Sequence, residues 1–387
     1  MSEISHIPSD AEIERRYRNI RAAASAAGLD AVLVCGSEYT GFEGAVTYTC
    51  GFRILHRYAY VLIPLDDDPT CVFPQEAAWV GDHSETFVAD RVFVDTPGAW
   101  LRDRLREKGM RRVGVYGMDF AMPVRDYRAL ADGDTEFVRF DEEFDHARAV
   151  KSEEELRSVR ESMAINEAGF WAVLEAYEPG RTEAELMAEA ERAFAARGTT
   201  RLTMDMVLSG PNGAMPPEMR HPDPRRSIQS TDLLLYGLEV AGPGGHWVEF
   251  SRPICAGPVA DETQVLLEAY REYHEAARER LRDGGSAQEA HRAVARPFVE
   301  RGYRLGHVTG HSIGMTMIEL PRVGEGTDVE LQRGMVLSMH PHAYNEERTA
   351  CLYMQDTWLV GEEEGEPLSR VPVQVFDGSE ANVGSVA

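Results

Sequence analysis

The sequence predicts an α/β (α+β) chain in two parts: a small N-terminal α/β domain over residues 1–148 and a larger domain over 149–387. Three observations predict it. Before residue 148, apolar runs of strand length alternate with amphipathic helical runs. After it, a long helix followed by a shorter capped helix occurs twice. Glycine-punctuated strands follow each helix pair, so the second part reads as two related halves about a pseudo-twofold axis.

The elements follow in chain order. Residues 10–27 have helical apolar spacing, and LDAVLVCG (29–36) reads as a buried strand. YAYVLIPL and TCVFP read as strands, 99–109 as a helix, RVGVYG as a strand, 124–131 as a helix and TEFVRF as a strand. A long helix over 152–177 opens with Ser152 and Glu155, the spacing of a reciprocal cap, and stops at Pro179-Gly180. Thr182 and Glu185 cap the next helix, which ends at Arg197-Gly198. The grammar returns with a helix over 261–282, then Ser286 and Glu289 before a helix ending at Arg301-Gly302.

Composition narrows the function classes. Hydrophobic residues make up 43% of the 387, enough for a sizeable core. The net charge of −25 disfavours nucleic acid and anionic membrane as partners. The N-terminus lacks an apolar signal region, and no apolar run reaches ~18 residues, so no membrane span is expected. Five scattered cysteines without CxxC spacing read as reduced thiols of a cytoplasmic protein, not as disulfides or a zinc knuckle. Gly-Pro-Gly-Gly at 242–245 reads as a hairpin turn.

Four segments of the second part carry polar groups. SGPNGAMPPEMRHPDPRR holds His221. LLLYGLEVAGPGGHWVEFSRP is two strands about the glycine turn. GHVTGHSIGMTMIELP holds His307, His311 and Glu319. GMVLSMHPH and YMQDTWLV hold His340, His342, Gln355 and Asp356. In this order and with these gaps, the segments resemble the catalytic domain of the creatinase / prolidase / methionine aminopeptidase family, the "pita-bread" fold. The first part suits that family's smaller N-terminal domain.

The resemblance also exposes departures. Peptidases of the family carry two Asp eleven residues apart, a His, a Glu before Pro and a final Glu, which together hold two metal ions. Counted back from Ser251-Arg252, the two Asp positions fall on Leu238 and Glu249, while the others fall on His311, His340 and Gln355. Two adjacent divalent cations need several anionic ligands to offset their repulsion. With one carboxylate, an aliphatic chain and a neutral amide there, no dinuclear site is expected.

The expectation is therefore a metal-independent, creatinase-like hydrolase without cofactor. It would cleave a C–N bond (amidine, guanidine or amide) in a small carboxylate-bearing substrate. The resemblance implies His221 as proton shuttle, since imidazole titrates near ~6.5. His311 and His340 would polarise the scissile group, and Glu249 and Glu319 would balance positive charge. Arg322, eleven residues after His311, with Gln355, would hold the substrate. TYTCGFRILHRYAYVLI resembles the creatinase stretch that reaches a partner's active site, which implies a homodimer using Arg53, His56, Arg57 and Tyr48. Two alternatives stay open: a mononuclear hydrolase or lyase with one ion on Glu249, His311 and His340, or a catalytically dead domain that binds peptides or partners.

Overall fold

A computed structural model describes residues 7–38 and 42–377. Among these, one compact unit runs to Ala149 and takes in Met315–Met317; the other takes Val150–Gly314 and resumes at Ile318.

The N-terminal unit is a six-stranded mixed sheet. Its order is Asp90–Val94, Thr70–Pro74, Tyr58–Pro64, Ala31–Ser37, Arg112–Tyr116 and Glu136–Arg139. Ala31–Ser37 and Tyr58–Pro64 pair antiparallel and are buried along their whole length, as their unbroken apolar runs predict. Two helices and a strand escaped the sequence reading: Gly44–Cys50, Asp141–Ala149 and Asp90–Val94. Gly44–Cys50 is buried all round and has no side-chain N-cap, so neither periodicity nor capping marks it. It stops where Gly51 turns left-handed at φ 82°.

The C-terminal unit has the expected repeat. Glu153–Ala176 and Glu183–Ala195 each open on a complete capping box, from Ser152/Glu155 and Thr182/Glu185. Asp261–Arg280 and Ala287–Val299 form the second pair, with Ser286 accepting from the Glu289 amide. The main sheet runs Glu319–Val323, Gly310–Ser312, Val336–Met339, Asp356–Leu359, Trp247–Cys255, Asp232–Ala241 and Arg201–Pro211, with Glu366–Pro367 on Asp356–Leu359. The hairpin closes through Gly242–Gly245, where Gly245 has φ 83°. No helix among the described residues is long and apolar enough to cross a membrane.

A buried charge cluster locks the sheet. Arg252 makes two bonds to Asp356 at 2.9 and 3.0 Å and donates to the carbonyls of Ser251, Val371 and Pro372. His274 Nε2 lies 2.7 Å from the same carboxylate. Burial would push Asp356 up, but Arg252 and His274 hold it below the usual carboxylate range.

Candidate functional site

Three side chains meet on the main sheet. Glu249 comes from Trp247–Cys255, His311 from Gly310–Ser312, and His340 follows Val336–Met339 directly. One donor atom from each lies within 4.8 Å of the other two, and all three residues are buried. His311 Nε2 is 3.3 Å from Glu249 Oε1, while His311 Nδ1 faces the Ser312 carbonyl at 2.9 Å. The His311 and His340 rings are 5.0 Å apart. Ser338, two residues before His340 and on the same face, donates to Glu249 Oε2 at 2.5 Å.

The strand register adds a residue that counting along the chain missed. In the hairpin, Glu239 stands directly opposite Glu249, and Leu238 stands opposite Phe250. Leu238 is core, whereas Glu239 projects to the face of Glu249. The hairpin tip is one residue shorter than a gap of eleven assumes. The missed signal is reflection about the glycine turn: Ala241 pairs Trp247, so Val240 pairs Val248 and Glu239 pairs Glu249. Gln355 ties the set together, donating from Nε2 to Glu239 at 3.3 Å, Glu249 at 3.1 Å and the Tyr353 hydroxyl at 3.1 Å.

The two carboxyls sit at opposite ends of their titration range. Burial, reinforced by the charge of Glu249, raises Glu239 well above its ordinary value. Burial would raise Glu249 too, but the adjoining His311 outweighs it and, with His340 and Ser338, holds it low. Burial pulls His311 down, yet Glu249 brings it above the ordinary imidazole value. Burial takes His340 down to about 3, helped by His311 and His307.

Do these residues fit a metal? Among the described residues, Nδ1 of His340, Oε2 of Glu239 and Oε1 of Gln355 are buried without a hydrogen-bond partner. Orphaned donors and acceptors are costly unless something else satisfies them. Two imidazoles and one carboxylate converging this closely fit one divalent ion. Glu239 stands beside them, and the Gln355 amide N–H points at both carboxyls.

The other expected site residues are placed as follows. Glu319 is paired with Lys151 at 2.9 Å, both fully buried, and a side chain at Gly314 would collide with it. Arg322 is exposed and pairs in register with His311 across neighbouring strands. His221 sits on a Pro-rich loop with its side chain 94% exposed, 3.9 Å from Asp205. That loop is clamped by buried Glu183, which takes two bonds from Arg220 at 2.6 and 2.7 Å and one from the Asp223 amide. Asp205 follows Met204, whose φ of 49° marks a β-bulge that re-aims it. In the N-terminal unit, Tyr48 is core beneath the Arg16 guanidinium, Arg57 pairs with Glu76 at 3.1 Å, Arg53 is half-buried and His56 exposed.

The site gives one pH prediction. Burial, and His307 nearby, lower His342 to about 4, whereas in the unfolded chain it titrates near ~6.5. Between those values the unfolded chain binds the extra proton, so this contribution is whole above ~6.5 and is lost as pH falls towards 4. His342→Gln is expected to reduce the fall in unfolding free energy between pH 7 and 5, read from urea denaturation, by about 1–2 kcal/mol. An unchanged slope would contradict this.

Comparison with known proteins fits the geometry. A model described as metallopeptidase family M24 matches residues 157–362, and one for the creatinase/prolidase N-terminal domain matches 16–150. A probable dipeptidase of Mycobacterium tuberculosis is 32% identical over 204 residues, 51% of this chain and 52% of its own. An Xaa-Pro dipeptidase of Lactobacillus delbrueckii subsp. lactis is 28% identical over 204 residues, 51% and 54% of the two chains. The chain thus spans about half the length of these curated relatives. In fold, it is similar to an Xaa-Pro dipeptidase from Bacillus anthracis (TM-score 0.80, 21% identity, covering 94% and 99% of the two chains). It is likewise similar to a dipeptidase from Mycobacterium ulcerans (TM-score 0.79, 23% identity, 95% and 98%).

These findings correct two expectations. A metal-independent, creatinase-like C–N hydrolase is overturned by relatives named as dipeptidases and by the Glu249–His311–His340 cluster. An enzyme without cofactor is overturned by the metallopeptidase match and by the same cluster. The physical reason is that imidazole at His340 replaces a carboxylate without removing a donor atom, so three donors still converge. The chain belongs to metallopeptidase family M24, preceded by a creatinase/prolidase N-terminal domain.

Proposed function

We propose that this chain is a metal-dependent hydrolase that cleaves the amide bond of a small peptide-like substrate with one divalent ion. Glu249, His311 and His340 would hold it. The observation that carries the reading is the convergence of their donor atoms within 4.8 Å in a buried setting. Relatives named as dipeptidases support the substrate class. When bound, the ion supplies Lewis acidity and lowers the pKa of attacking water.

The chain's own groups divide the remaining work. Glu249 stays anionic. Burial and the charge of Glu249 raise Glu239 beside it well above its ordinary value, and carboxyls pushed apart in this way mark an acid/base pair. Glu239, with its raised pKa, suits giving a proton to the leaving amine, and the new carboxyl product would return one to it. Ser338 and Gln355 fix the carboxylates by hydrogen bonds. Arg322, exposed across from His311, is the cation that would grip a substrate carboxylate.

The five free, buried cysteines accord with a reducing, cytoplasmic setting. The 148/149 domain boundary and a homodimer delivering His56 and Arg57 belong to the proposal, and a single-chain mass in solution would remove the dimer. The decisive test is chelation. Chelator-treated enzyme is expected to lose dipeptide hydrolysis and to regain it with about one equivalent of divalent metal. Turnover that persists at undetectable metal would end the reading.

A further inference from the structure

Tyr353 closes the strand Cys351–Tyr353, where it pairs in register with His342. Its ring stands among the imidazoles, with centres 5.1 Å from His342, 6.3 Å from His307 and 6.5 Å from His340. Its hydroxyl is turned towards the carboxyls. It accepts from Gln355 Nε2 at 3.1 Å, and the same amide nitrogen donates to Glu249 at 3.1 Å and to Glu239 at 3.3 Å. One amide thus places the phenol next to both carboxyls. Tyr353 is 5% exposed, so water does not freely serve its hydroxyl. Among the described residues that hydroxyl receives a bond and gives none. A buried phenol O–H ordinarily finds an acceptor. Burial, and then the charges of Glu249 and Glu239, raise it well above the ordinary phenol value, which keeps it a donor.

Amide hydrolysis supplies the acceptor. When water adds to the scissile carbonyl, the C=O electron pair moves onto oxygen, and a donor aimed at that oxygen lowers the barrier. Glu249 is an anion and cannot meet that charge. We infer that Tyr353 is a catalytic residue whose hydroxyl donates a hydrogen bond to the carbonyl oxygen of the scissile amide as it becomes an oxyanion. The proton stays on the tyrosine throughout. The electron pair returns to form the carbonyl as the C–N bond breaks, and the amine leaves with the proton from Glu239.

This inference rests on the one-ion reading, and the test separates the two. Metal-loaded full-length protein and its Tyr353→Phe variant are assayed on a panel of X-alanine and X-proline dipeptides. Both are then titrated calorimetrically with the phosphinic analogue of the best substrate, whose tetrahedral phosphorus copies the intermediate, and with that substrate's carboxyl-terminal amino acid. The variant is expected to keep its metal, and its KM within about twofold, while kcat falls about a hundred- to a thousandfold. The phosphinic compound is expected to bind at least about tenfold more weakly, and the amino acid as before. An unchanged kcat, or equal losses for the two probes, overturns the role of Tyr353 and leaves the one-ion reading standing. Loss of metal from the variant makes the tyrosine structural and overturns the role as well. A wild type that hydrolyses no dipeptide of the panel overturns both.

Discussion

Replacing His311 by alanine is expected to take bound metal from about one ion per chain to less than about a tenth, and turnover down more than about a thousandfold. The residue supplies one of only three converging donors, and Glu249 and His340 alone leave the ion with two protein ligands. His311 also lies 3.3 Å from Glu249 and helps hold that carboxyl low, so its loss disturbs a second ligand. Elemental analysis and steady-state kinetics measure the two losses, and circular dichroism checks the fold. Glu239→Gln is the companion variant. It removes the acid/base carboxyl but none of the three converging donors, so metal is expected to stay while kcat falls. If His311→Ala keeps its metal, or Glu239→Gln loses it, the assignment of roles is wrong.

The second large effect is on stability. Arg252→Ala is expected to cost about 3–5 kcal/mol, because it leaves Asp356 buried and paired with His274 alone. The side chains of Arg252 and Asp356 are 1% and 0% exposed, so water cannot replace the lost partner. Three backbone carbonyls also lose their donor. The melting temperature is expected to drop on the order of 10 °C. The double variant Arg252→Met, Asp356→Leu is expected to recover part of that loss, since an apolar pair leaves no orphaned charge. A single-variant shift within a degree or two of wild type would refute the account.

Much of the fold was legible because its signals are local. Ser152 with Glu155 and Thr182 with Glu185 satisfy helix-end amides within one turn, so four residues suffice to place a helix start. Gly44–Cys50 was not legible, because a helix surrounded by core needs no polar face. The site divides the same way. Glu249, His311 and His340 could be named from motif order, but their convergence depends on three separate strands. Glu319 reads as a free carboxylate until Lys151, 168 positions away, is seen bonded to it. Glu239 stayed hidden because its neighbour is set by strand pairing, whereas the sequence displays only separation along the chain.

That pairing has a wider consequence. A ladder measures position in rungs counted from the sheet, and the tip of a hairpin adds nothing to that measure. A residue deleted between Ala241 and Trp247 can shorten the chain without carrying Glu239 away from its opposite number. Enzymes built on such rungs can therefore lose or gain loop residues while their reactive groups stay in place, and a fixed spacing rule will then declare a working centre broken.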